Sequence, residues 1–376
     1  MFRMDFVQRF VIDRSFHLRY YSLDAYLYRA VDQVAWDADI THNRLFWDIW
    51  SAFMQPRSLV DAVETLSDYD PDEVAAAIEG MCESGIIEPV GLKDRQFDPL
   101  TAELSHVPQA WDYHLVSSRI DWINYLDGKD VKRQDLEQMD KHLSEEAVPS
   151  NFHKAANSRP KYDLPSLVPL TAFEFNNSAS VAFGHEKAPL PNELSLDIIT
   201  LLLNYAAAKT DTVNMYATGE HLRKAVPSGG ARHPIEFYVV VGDEIAGIEA
   251  GVYHYNVRHH RLDAIEIAST SLKALQEASS VLPRSRSKPF GFAFIHTCRF
   301  ERSMFRYREP RSYRVMQFDL GHIHANEVLA AKILGLDFSE TFSVPESIVE
   351  SVLTLDPFIE SAMSAFVVHR HENHHD

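Results

Sequence analysis

Cysteine is almost absent from this sequence: two in 376 residues, Cys82 and Cys298, far apart in the chain. They make no CxxC, no zinc-ligand spacing and no disulfide framework, so a reducing cytoplasm is the expected compartment. Positive charge is scarce as well. Lys and Arg number 36 against 54 Asp and Glu, a formal net charge of −18. A general nucleic-acid binder draws its affinity from neutralising phosphates, so that class is not expected, whereas an acidic surface leaves room for a basic peptide partner. No apolar run reaches the length of a membrane span, and residues 1–5 show no signal-peptide core, so neither insertion nor secretion is expected.

Apolar material is plentiful, at 45% hydrophobic and 11% aromatic residues, and the length points to two or three domains. From Phe2 to Tyr28, alternating apolar and polar positions predict short strands. Residues 43–54 carry Leu45, Phe46, Ile49, Trp50 and Phe53 at helical spacing. A second helix is predicted over 58–66, with Ser58 as its cap. A third starts at Asp70, with Pro71 in the first helical position and Glu73 three residues after the cap; it stops at Ser84-Gly85, before a strand at 86–90. Three helices and a turn into a strand resemble a winged helix-turn-helix. The third helix carries Asp70, Asp72, Glu73, Glu79 and Glu83, which repel phosphate. The expected roles are therefore peptide recognition along a strand edge, or structural support and dimerisation, rather than DNA reading. Residues 95–104 read as a linker, giving a module over 1–105 and a larger domain over 106–376.

The most distinctive stretch of the larger domain is Pro227-Ser228-Gly229-Gly230-Ala231-Arg232-His233-Pro234. It runs into strand formers from Ile235 to Val241, closed by Gly242-Asp243. Adjacent glycines let a backbone approach a flat or anionic ligand with its N–H groups as donors; the same pattern also serves as a tight loop into a core strand. Gly251-Val-Tyr-His-Tyr255 predicts the next strand. Helices are expected over 194–208 with Ser195 as cap, 264–278 and 319–336, and strands over 290–298 and 366–369. Residues 127–165, charged and punctuated by Pro149, Pro160 and Pro165, read as a long surface connection. His233 and His254 read as packing histidines. His322 and His324 are two apart, hence on different helix faces, so no metal site is expected there. The histidine-rich tail from His369 reads as a frayed polar terminus.

The turn at 227–234, the Gly251–Tyr255 run, Trp111-Asp-Tyr-His114 and the Asp319-Leu-Gly-His322 helix with Asn326 resemble the SagB-type (McbC-like) dehydrogenases, a branch of the FMN-dependent nitroreductase-fold family. The resemblance spans roughly residues 108–368. It implies an α+β nitroreductase-like fold with a central antiparallel or mixed sheet and helices, FMN as cofactor, and a homodimer. It implies oxidation of peptide thiazolines or oxazolines to azoles, or a related desaturation, in a ribosomally made precursor whose leader the N-terminal module would hold. A cyclodehydratase is a further implied partner. By the same resemblance Pro227, Ser228, Gly229 and Gly230 pass beside the flavin, and Ser178 belongs to the segment that clamps its phosphate.

Three departures accompany it. The family's clamp uses arginines, whose guanidinium fork matches phosphate oxygens bidentately; residues 173–183 keep Ser178 and Phe183 but hold Asn176, Asn177 and Ser180 in place of arginines. Arg232, Arg311 and Arg314 are then the cations left to supply the charge, or else partners for the chain's excess carboxylates. The family's acid–base pair is Lys-Tyr and this chain has Arg306-Tyr307. A base must remove the ring-carbon proton while hydride leaves; Tyr307 is the candidate, and Arg306, which keeps its proton, would hold an anionic intermediate. The glycine pair that follows the last core helix in the family is missing from 338–347. The alternative reading is a flavin-deficient protein of the same fold, acting as a peptide-binding scaffold or as a partner subunit of a modification complex.

Overall fold

The computed structural model describes residues 9–12, 16–21, 24–29, 34–37, 44–53, 57–89, 113–114, 117, 131–152, 155, 157–165, 193–215, 218–280 and 287–370. They fall into two compact units, residues 1–123 and 124–376. The linker and boundary expected near 95–105 lie outside the described residues.

In the first unit, β1 (Arg9–Ile12) precedes an antiparallel sheet of β2 (Phe16–Tyr21), β3 (Asp24–Arg29) and β4 (Val34–Asp37). Then come α1 (Arg44–Ala52), β5 (Arg57–Ser58), α2 (Leu59–Thr65), α3 (Pro71–Glu83) and β6 (Ile87–Pro89), with β1 paired antiparallel between β5 and β6. The caps are those the sequence specifies. Ser58 Oγ accepts from the Asp61 N–H at 3.1 Å, and Asp70 Oδ1 accepts from the N–H groups of Asp72 and Glu73 at 2.9 and 3.2 Å. Val74, Ile78 and Met81, at helical spacing, turn one stripe of α3 toward Ile49, Phe53 and Ala62, while its acidic residues stay exposed.

The second unit contains α4 (Val131–Glu145), β7 (Ser158–Asp163), α5 (Leu196–Ala206), β8 (Lys209–Met215), β9 (Gly219–Lys224), β10 (Ile235–Val241), β11 (Gly251–Asn256), β12 (Arg261–Ile265) and α6 (Ser269–Ser279). It continues with β13 (Phe290–Arg299), α7 (Glu301–Met304), α8 (Arg311–Ile333), β14 (Asp337–Thr341), α9 (Glu346–Leu353) and β15 (Glu360–His369). Seven strands make an antiparallel sheet in the order β14-β15-β13-β10-β11-β12-β7, and β8 and β9 form a separate hairpin. Helices cover both faces, so the central strands are mostly apolar and every residue of β10, Glu236 included, is buried. Phe237, Val239 and Val241 pack toward α5 and α8; Tyr238 and Val240 pack toward α6 and α9.

Four expectations change. Residues 127–165 are not a plain connection: they hold α4 and the edge strand β7. Ala264 and Ile265 end β12, so the following helix starts at Ser269. The last core helix starts at Arg311, two turns before Asp319. His369 closes β15, its Nε2 2.8 Å from Ser339 Oγ, so the tail begins after it.

Candidate functional site

The glycine turn is held by one carboxylate. Asp319, buried on α8, accepts from Ser228 Oγ at 2.6 Å and from the Gly229 N–H at 3.0 Å; the His233 N–H donates to Ser228 Oγ at 2.8 Å. Burial raises the Asp319 pKa above the usual carboxylate range, and the Ser228 and Gly229 bonds oppose that. Gly230, Ala231 and His233 all have positive φ, at 60°, 53° and 47°. Two of these are not glycine, so the turn is strained and depends on its hydrogen bonds.

Both glycines are required by the protein's own side chains. A Cβ on Gly229 would lie 2.3 Å from Val315 Cγ1, and one on Gly230 would lie 2.4 Å from the Tyr307 hydroxyl. The catalytic candidate Tyr307 is therefore seated directly against the turn. The Arg306 guanidinium lies 5.4 Å from the centre of the Tyr307 ring and pairs with Asp135 of α4. Arg308 pairs with Glu145 and Glu146, at the end of the same helix, and His142 meets Phe305 edge-on at 6.3 Å. The acidic face of α4 thus neutralises the Arg306–Arg308 segment.

Arg232 is buried in the turn. Its Nη1 lies 3.5 Å from His221 Nε2, and its Nε meets no acceptor among the described residues. Burial lowers its pKa, and nearby Tyr307 opposes that. An unmet, buried guanidinium N–H beside a glycine turn and a tyrosine hydroxyl suits the anionic or carbonyl edge of a ligand. Arg311 and Arg314 lie on the first turn of α8, both half-buried. Arg311, Val315 and Asp319 follow at intervals of four, so Arg311 shares the helix face that meets the turn and Arg314 does not. Ser178, Asn176, Asn177, Ser180 and Phe183 lie outside the described residues.

His254 is engaged elsewhere: its Nε2 is 2.8 Å from Glu236 Oε2, whose other oxygen pairs with Arg302 at 2.5 Å. His233 is held neutral, burial pushing its pKa down to about 3. Sequence reasoning missed two groups around the turn. The Asp319 carboxylate appears in the motif, but nothing local shows that it reaches Ser228. Lys224, at the end of β9, gives no signal at all. It is half-buried as a residue, yet its amine is enclosed and its pKa pushed down to about 8 by burial. It lines, with Ser228, His233, Asp319 and Ile323, a cavity of about 10 Å³ under the turn, the size of one water.

Comparison with known proteins gives a consistent answer. The nitroreductase family profile matches residues 190–368. The Escherichia coli microcin B17-processing protein McbC is 29% identical over 240 residues, covering 56% of this chain and 85% of McbC. Among solved structures, a protein of Anabaena variabilis described as a nitroreductase aligns over 63% of this chain at 22% identity with a TM-score of 0.45; the alignment spans 45% of that protein, less than half its length. The E. coli microcin synthetase McbBCD complex, with truncated pro-MccB17 bound, aligns over 72% of this chain and 95% of the matched one, at 22% identity and a TM-score of 0.42. The family match and the McbC similarity support an oxidoreductase-type enzyme. On those two findings residues 190–368 form a nitroreductase-like domain, and the chain is similar to McbC over 240 residues.

Proposed function

We propose that the chain is an FMN-dependent oxidase of peptide azolines, or of a related desaturation, in the maturation of a ribosomally made peptide. The observation that carries this reading is the contact between Tyr307 and Gly230, with Arg306 over the tyrosine ring and the unmet Nε of Arg232 in the same turn. The similarity to a microcin B17-processing protein supports a peptide substrate, and flavin dependence in the nitroreductase family supports FMN. Arg232 and Arg311 would hold the anionic parts of the cofactor, with Pro227, Ser228, Gly229 and Gly230 against it and Ser178 and Arg314 as further contacts. When bound, FMN supplies a two-electron acceptor for the hydride of the ring C–H bond. Tyr307 would take the ring-carbon proton, and Arg306 would stabilise the charge left on the substrate. The N-terminal unit is proposed as a winged-helix-like module binding the leader. A cytoplasmic homodimer working with a cyclodehydratase completes the proposal.

The test is flavin content followed by substitution. The purified full-length protein should be yellow and release FMN in a one-to-one ratio with the chain. Tyr307→Phe should keep the colour and lower turnover about 10²–10⁴-fold. Unchanged turnover would remove Tyr307 from the chemistry.

A second reading has its own observation. The space beside Gly229 and Gly230 is occupied by Val315 and Tyr307, and Arg306 is neutralised by Asp135. The glycine pair therefore has a reason to exist without flavin, which favours a scaffold or partner subunit. Protein that is colourless and gains no flavin absorbance with added FMN would decide for it.

A further inference from the structure

A second buried polar cluster lies between the sheet and α8, far from the glycine turn. Glu327 is eight residues past Asp319, about 12 Å along the helix at 1.5 Å per residue. Three neighbouring strands contribute His296 from β13, Ser364 from β15 and Glu340 from β14; α8 contributes His324 and Glu327. His296, His324 and Glu327 are buried, and one ligand atom from each lies within 4.8 Å of the others. His296 Nε2 is 2.8 Å from Glu327 Oε1; His324 Nδ1 is 2.9 Å from Glu340 Oε1 and 3.6 Å from Glu327 Oε2.

Counting protons shows that two neutral imidazoles, one hydroxyl and two carboxylates leave this group short of one positive charge, supplied by a proton or by an ion. Ser364 Oγ sits 2.9 Å from His296 Nδ1 and 2.8 Å from His324 Nε2. The hydroxyl has a single proton. If it donates to one ring and accepts from the other, then one outer nitrogen, His296 Nε2 or His324 Nδ1, turns a bare lone pair on a carboxylate oxygen. If it accepts from both rings, both outer nitrogens do so. A lone pair facing a carboxylate at under 3 Å is repulsive, and a positive charge between them relieves it. A proton placed there still leaves Glu327 Oε2 buried and without a hydrogen-bond partner. A metal ion would use both lone pairs, both carboxylates and that orphan oxygen together.

We propose that His296 Nε2, His324 Nδ1 and the Glu327 carboxylate, with Glu340 in the fourth position, bind a divalent transition-metal ion of the zinc class. Two imidazoles and two carboxylates are a four-coordinate nitrogen–oxygen donor set suited to zinc. Ser364 accepts the second N–H of each ring, fixing both tautomers as outer hydrogen bonds do around metal-bound histidines. Glu340 reaches solvent from the edge strand, its side chain 32% exposed, and the exposed Phe342 packs on His324 with 4.7 Å between ring centres. The ion ties edge strand, central strands and α8 together, a structural role.

The test uses the full-length protein. Metal content is measured after exchange into metal-free buffer, and chelated protein is then titrated with Zn²⁺ alone and with Co²⁺ alone, reading thermal midpoint and the visible spectrum. The expected result is one ion per chain, tetrahedral Co²⁺ bands and a midpoint restored by Zn²⁺. Glu327→Gln preserves the shape and the hydrogen bond of a protonated carboxyl. It should fold, lose the Co²⁺ bands and weaken Zn²⁺ binding at least 100-fold. Glu340→Gln should weaken it less. A shortened chain ending at Arg370, without His371, His374 and His375, should bind as the parent does. The proposal is overturned if the parent takes up no Zn²⁺, if Glu327→Gln binds equally well, or if binding disappears with the tail.

Discussion

At the scale of single residues, Gly230 is the most constrained position in the turn. Its φ of 60° and the Tyr307 hydroxyl 2.4 Å from where a Cβ would sit act in the same direction. Gly230→Ala should therefore lose about 1–3 kcal/mol of stability and displace the tyrosine. Tyr307→Phe removes the nearest atom but leaves the ring, with Cε2 3.1 Å from the same point. A double-mutant cycle in urea should give a coupling of about 0.5–3 kcal/mol, the pair being less damaging together than the sum of the two; strict additivity would show that the contact is not made. His233 sets a second expectation. Burial, then the Lys224 charge, holds its pKa at about 3 in the folded state, against 6.5 for an ordinary histidine. Between those values the unfolded chain binds a proton that the folded chain does not. Stability contributed by the neutral ring is complete above pH 6.5 and is lost as pH falls toward 3, on the order of a few kcal/mol. Asn tolerates the left-handed backbone at this position. His233→Asn should flatten the acid limb of the unfolding midpoint plotted against pH, and an unchanged slope would mean that the ring is not buried neutral.

Elements differ in how plainly the sequence announces them. β10 and β13 are legible because a strand buried on both faces is rich in Val, Ile and aromatic residues, interrupted in β10 by Glu236 alone, and α2 and α3 because Ser58 and Asp70 cap them. α4 is not legible. Among its described side chains the buried ones reduce to Met139 and His142 between charged residues, too narrow a stripe to stand out ahead of Pro149, Pro160 and Pro165. Its meaning is tertiary, since Asp135, Glu145 and Glu146 matter only because Arg306 and Arg308 lie opposite. The same holds for the sites. The turn and Tyr307 are separate motifs, and only the fold shows them touching. His296, His324 and Glu340 come from three segments, while the histidine pair that sequence spacing draws the eye to, His322 and His324, is not the one brought together. Asp135→Asn tests the role of α4. It frees Arg306 while keeping shape, so ionic strength should affect flavin retention or peptide binding differently from the parent, and identical salt profiles would confine α4 to packing.

For the whole molecule, each unit closes its own core: Ile49, Phe53, Val74 and Ile78 in one, the two faces of the seven-stranded sheet in the other. Separate cores are the physical condition for separate cooperative transitions. The sequence provides a probe for each. All five tryptophans, Trp36, Trp47, Trp50, Trp111 and Trp122, fall within residues 1–123, and Trp47 and Trp50 pack against the core of the first unit, so their emission follows that unit. Far-ultraviolet circular dichroism weights the second, with its long α8 and its large sheet. Asp70→Ala removes the acceptor for two N–H groups at the start of α3 and should lower the stability read by tryptophan emission by about 1 kcal/mol, leaving the second transition in place. Gly230→Ala should do the reverse. If either substitution instead moves both signals together, the chain unfolds as one cooperative body, and the proposed leader-binding module would have to be studied only within the full chain.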